Sequence, residues 1–89
     1  MDEHLKQLNR AIDDWTERAN ACIDATEAYR LAHAKATSAS QAKTDSGRKA
    51  EADEATSPQR LVRDRAELQR DAAYHRMIGI RGSAGERQQ

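Results

Sequence analysis

Very little aromatic carbon is available to this chain: Trp15, Tyr29 and Tyr74 are its only aromatic residues, and Phe is absent. Aromatic side chains bury the most area per residue, so their scarcity excludes a broad core built around rings. The single cysteine, Cys22, excludes an internal disulfide and suits a reducing compartment. One proline and four glycines leave few points at which the chain is compelled to turn. No apolar run approaches the roughly 18 residues of a membrane span, and the acidic opening Met1-Asp2-Glu3 does not read as a signal peptide. The expectation is a soluble, cytoplasmic protein.

Net charge is absent as well. Fifteen basic residues balance fifteen acidic ones, which argues against a chain whose task is simply to coat nucleic acid. The balance is uneven along the length: residues 1–45 carry six basic and eight acidic side chains, residues 46–89 nine and seven.

Helix-forming sequence, by contrast, is plentiful. Ala, Glu, Lys and Arg dominate the 89 residues, and a chain this short buries only about 60–65% of its unfolded surface. From Leu5 to Ala36 an apolar repeat alternates three and four residues apart without Pro or Gly: Leu5, Leu8, Ile12, Trp15, Ala19, Cys22, Thr26, Tyr29, His33, Ala36. That spacing predicts one long helix with a coiled-coil seam. Asp2 is placed to cap it, and Asp14 with Arg18 and Glu27 with Arg30 are spaced for ion pairs along it.

Small polar residues replace the repeat from Thr37 to Gly47, which marks the turn. Ser38 with Gln41 has capping-box spacing, and Thr44, Asp45 or Ser46 is suited to cap the next helix. A second helical pattern runs from about 46 to 80 with a kink or restart at Ser57-Pro58, and Leu61, Val62, Ala66, Leu68, Ala72, Ala73, Met77 and Ile80 on one broad face. Gly79 and Gly82 are read as its end, with residues 83–89 as a flexible tail. The expected fold is all-α: a two-helix antiparallel hairpin, helix about 2–38, turn about 39–45, helix about 46–80. It dimerises to a four-helix bundle, because so slight a core needs partner surface. A turn near residue 42 sets Trp15 against Ala72 and Ala73, Leu5 and Leu8 against Met77 and Ile80, and Tyr29 against the Ala55 region.

No catalytic or metal-ligating pattern emerges. His4, His33 and His75 are never three or four residues apart, and Cys22 has no Cys or His within helical reach. Adjacent acids such as Asp13-Asp14 and Asp53-Glu54 point about 100° apart on a helix. No serine has a nucleophile-elbow setting, and the glycines form no phosphate loop. The chain is read as non-enzymatic, with no cofactor, metal, small-molecule substrate or membrane.

Two interaction surfaces are in play. Leu5, Leu8, Ile12, Trp15, Tyr29, Leu61, Leu68 and Met77 are the candidate protein-interface residues, with the chain itself, another protein or both as partners. Arg60, Arg63, Arg70, Arg76 and Arg81 are candidate contacts to nucleic acid, as in a recombination accessory, within a segment that carries six arginines against Asp64, Glu67 and Asp71. Against the second stands the spacing of Arg60 to Asp64, Arg63 to Glu67 and Glu67 to Arg70, which suits a salt-bridged helix face.

The run Tyr29-Arg30-Leu31-Ala32-His33-Ala34-Lys35-Ala36, followed by Thr44, Arg48, Ala50, Ala52, Ala55 and Thr56 and then by Arg63-Asp64-Arg65-Ala66-Glu67, resembles small helical-hairpin accessory proteins of temperate actinobacterial phages. The likeness spans Tyr29 to about Met77, and the sequence departs from that pattern at Ser38, Ser40, Gly47 and Pro58. It implies a phage protein acting in a host cytoplasm and brings no biochemical activity with it.

Overall fold

A computed structural model describes residues 2–87, with side chains described through Gly82. Three helices run in order: α1 (Glu3–Ala39), α2 (Asp45–Ala55) and α3 (Ser57–Arg87). The all-α expectation holds, but there are three helices where a two-helix hairpin was expected. α2 and α3 both pack along α1 and touch each other only around their junction. Pairs across the gap fix the direction: Asp14 with Arg76 at 3.6 Å, Arg18 with Gln69 at 3.2 Å, Cys22 with Arg70 at 3.4 Å, His33 with Asp53 at 2.8 Å. Numbers rise on one arm as they fall on the other, so the arms are antiparallel, in a body measuring 65 × 19 × 14 Å.

Each boundary has a local chemical cause. Asp2 caps α1 by accepting the His4 N–H at 3.0 Å, as expected. At the other end the expected Ser38–Gln41 box is not used. Ser40 leaves helical geometry, accepts the Ala42 N–H on its hydroxyl at 3.1 Å and donates to the Glu51 carboxylate. Thr44 opens α2 by accepting the Gly47 N–H at 3.0 Å, and Arg48 reaches back to the Ala42 carbonyl, also at 3.0 Å.

The break in the second arm falls at Thr56 rather than at a Ser57 cap. Pro58 has no N–H for the Glu54 carbonyl four residues back, and its ring crowds that carbonyl. The Ser57 hydroxyl donates to the freed oxygen at 3.4 Å. Thr56 closes α2 by donating its N–H to Ala52 at 3.0 Å, and its own carbonyl accepts the Arg60 N–H at 3.0 Å to start α3. α3 then passes through Gly79 and Gly82 and continues to Arg87. The helix thus runs past the end expected near 80, and residues 88 and 89 of the expected tail lie outside the described residues.

The core sits in a seam of small side chains. Ala11, Cys22, Ala52, Thr56, Ala66, Ala73 and Met77 are buried, and no large side chain is fully buried among the described residues. On the second arm the seam is a strict four-three alternation through the break: Ala52, Thr56, Gln59, Arg63, Ala66, Arg70, Ala73, Met77, Ile80. On α1 half of the expected register is kept, at Leu8, Trp15, Cys22, Tyr29 and Ala36. Of the other half, Ala19 and His33 stay half-buried, with Ala32 beside His33, while Leu5, Ile12 and Thr26 are exposed and the residues one back from them, His4, Ala11 and Ala25, face inward. Alanine recurs at multiples of seven residues on both arms, at Ala11, Ala25 and Ala32 and at Ala52, Ala66 and Ala73, which lets the backbones approach closely, and Leu or Ile at those sites holds them apart.

Candidate interaction surface

The seam takes in two arginines that sequence reasoning set on the outer, phosphate-facing side. Arg63 and Arg70 lay their stems along α1. The Arg63 guanidinium sits 4.6 Å from the centre of the Tyr29 ring, so Tyr29 faces Arg63 and not the Ala55 region. Its charge is met by Asp64 at 3.0 Å and Glu67 at 3.8 Å. Arg70 points Nη1 at the buried Cys22 sulfur and bonds Asp71 at 3.1 Å. Hydrogen bonds donated to the Asp64 and Asp71 carboxylates raise the Arg63 and Arg70 guanidinium pKa values further above their already high range, so both stay charged at any working pH.

The remaining arginines divide. Arg76 reaches across to Asp14, while Arg60 and Arg81 are exposed and make no ion pair among the described residues. Asp64 is taken by Arg63, not by Arg60 as the spacing suggested. On α1 the two expected pairs are formed, Arg18 with Asp14 at 3.5 Å and Arg30 with Glu27 through two hydrogen bonds. Arg30 holds the Glu27 carboxyl below its usual range, chiefly through those bonds.

The candidate protein-interface residues also divide. Met77 is buried, and Leu8, Trp15 and Tyr29 are half-buried along the seam. Trp15 meets Tyr74 at 6.0 Å between ring centres, beside the Ala72 and Ala73 level expected for it. Leu5, Ile12, Leu61 and Leu68 are turned to the outside, and Leu68 is 70% exposed. Sequence reasoning missed the rest of this outward set: Ile23, Leu31, Val62, Tyr74 and Ile78. The available signal was the alanine spacing. Once Ala11, Ala25, Ala32, Ala52, Ala66 and Ala73 are assigned inward, larger residues on either side are left outward.

The result is a molecule with small side chains inside and nine large apolar ones at least 38% exposed; burying a wholly exposed side chain of this kind gains about 1.5–3 kcal/mol, and the partly covered ones gain in proportion to the area still open. Shallow grooves accompany them. One is lined by Ala28, Leu31, Ala32 and Lys35, another by Thr26, Tyr29, Arg30, His33 and Arg63. Both are open to solvent, without the enclosure that a small-molecule site uses. Among the described residues no group of three or more His, Cys, Asp or Glu converges as a metal ion requires, and no helix is long and apolar enough to cross a membrane. Compared with protein-family models, with curated proteins and with solved structures, the chain matches none.

Proposed function

We propose that this chain is a non-enzymatic helix-docking module that works by burying its outward apolar side chains against another protein surface, its own copies included. The observation that carries the reading is the inversion of size: Ala and Cys are buried in the seam while Leu5, Ile12, Leu61 and Leu68 are 38–70% exposed. Apolar side chains in such number, spread along both arms, are the mark of a surface that is covered when it works. Two copies side by side, a four-helix cross-section, are the smallest such assembly. The resemblance to phage accessory hairpins supplies the proposed setting, a host cytoplasm in which the partner is a host or phage protein.

The nucleic-acid alternative is left with Arg60, Arg65 and Arg81 as exposed charges, because the seam and Asp14 hold the others. Three separated arginines neutralise few phosphates.

A variant with Leu5, Ile12, Leu61 and Leu68 all changed to Gln tests the docking reading. Helicity by circular dichroism should persist and association by light scattering should be lost, since these side chains lie outside the chain's own seam. Collapse of helicity in that variant would overturn the reading by showing that they stabilise the single chain.

A further inference from the structure

Each arm carries a second, outward strip with the same three-four spacing as the seam, and every side chain on both strips is exposed. On α1 the strip holds Glu3, Asp13, Glu17, Asp24 and Glu27 against only Lys6 and Arg10, and near the turn it becomes apolar at Leu31 and Ala34. On α3 between Pro58 and Gly82 it holds Leu61, Arg65, Leu68, Ala72 and His75 and no carboxylate; Asp64, Glu67 and Asp71 all lie off it. Opposite sides of the molecule therefore present an acidic strip and a basic, apolar one. Of the carboxylates on the α1 strip, only Glu27 is ion-paired among the described residues, and Arg65 has no ion-pair partner among them.

We propose that the outer strip of α3 in one copy docks on the outer strip of α1 in the next, so that hairpins add side by side with alternating antiparallel arms. This rests on the docking function proposed above and names its partner as a second copy. Charge complementarity selects that occupant: Arg65, the one formal charge on the α3 strip between Pro58 and Gly82, finds no carboxylate on a like strip and meets several on α1. The heights agree as well. Within a chain Tyr29 and Arg63 share a level, at 4.6 Å. A neighbour at the same height therefore sets Leu61 against Leu31, Arg65 against Glu27 and His75 against Glu17. Leu61 then faces the apolar groove of Ala28, Leu31, Ala32 and the Lys35 stem.

The two faces are different surfaces, so the contact is head-to-tail and does not close at two copies. Mass should rise with concentration beyond a dimer, and added salt should shift it downward by screening the charged half of the contact.

Two blocked chains test this. One carries Leu61→Glu with Arg65→Glu, disabling the α3 face; the other carries Asp24→Lys with Leu31→Lys, disabling the α1 face. All four sites are exposed, and helicity by circular dichroism checks that each variant keeps its fold. Each alone should show the mass of one chain, and an equimolar mixture should show two chains and nothing larger, because one intact face of each kind remains. Either variant assembling like the parent chain, or a mixture that stays at one-chain mass, would overturn the head-to-tail contact. A parent that associates and loses association in the four-Gln variant, yet is indifferent to both blocked faces, keeps the docking function and removes this geometry. A parent that stays at one-chain mass throughout removes the self-docking geometry, and the helicity of the four-Gln variant still judges the function.

Discussion

At Ala52 the side chain is wholly inaccessible, and at Ala73 it is 3% exposed, so neither site has room for more carbon. Ala52→Leu or Ala73→Leu should push the arms apart and destabilise the chain by about 1–3 kcal/mol, read as a lowered midpoint in urea. Leu68→Ala, at a site 70% exposed, should change the single chain by no more than about 0.5 kcal/mol. Gln59 presents a different case. Its Oε1 lies in the seam with no hydrogen-bond partner, and such an atom costs about 1–3 kcal/mol. Gln59→Leu should therefore raise the urea midpoint. Glu27 predicts a pH effect. Its carboxyl is held low by Arg30, so the pair contributes above the ordinary carboxylate range and is lost as pH falls through the lowered value. A carbon-detected NMR titration should place the Glu27 midpoint below the normal range in the parent and return it to that range in Arg30→Gln.

The element that most invites alteration is the second arm. Its seam keeps the same spacing across the break, from Ala52 through Thr56 and Gln59 to Arg63, so a continuous helix presents the same face to α1. Pro58 alone denies the Glu54 carbonyl its usual donor. Pro58→Ala should fuse α2 and α3 into one helix, increase helicity by circular dichroism and stabilise by up to about 3 kcal/mol. A loss of stability instead would show that the bend at Thr56 is needed to hold α2 on α1. At the other end of α2, Gly47→Ala should not deliver the roughly 1 kcal/mol of helix propensity expected for such a change. A Cβ there lies 2.9 Å from the Thr44 hydroxyl oxygen that caps the helix and 3.1 Å from the Ala42 Cβ.

For the whole molecule, the shape and the placement of charge matter more than any single contact. A body 65 Å long and 14 Å across its thinnest dimension has too little interior to hide Leu, Ile and Trp together. The seam accepts the small residues, and the large ones are displaced to faces that the chain leaves exposed. The docking function proposed above therefore predicts that stability depends on protein concentration, with the thermal midpoint rising as association adds burial. A midpoint that stays fixed over a hundredfold concentration range would place all the burial within one chain.

Residue order was enough to establish that the chain is helical, that it doubles back between about residues 39 and 45, that Asp2 starts the first helix and that one of Thr44, Asp45 and Ser46 starts the next; the structure selects Thr44. Those features arise from spacing, propensity and capping, which act over a few residues. The ion pairs of Asp14 with Arg18 and Glu27 with Arg30 were legible in the same way, because both partners lie one turn apart on the same helix. Which side of each helix faces inward was settled only when the arms packed together. Hydropathy favours Leu5, Ile12, Leu61 and Leu68 for the interior, but two long helices pack best where their backbones come closest, and alanine permits the nearest approach. That preference turned the large side chains outward, brought Arg63 onto Tyr29 and Arg70 onto Cys22, and left an acidic strip on one side of the molecule and a basic, apolar strip on the other.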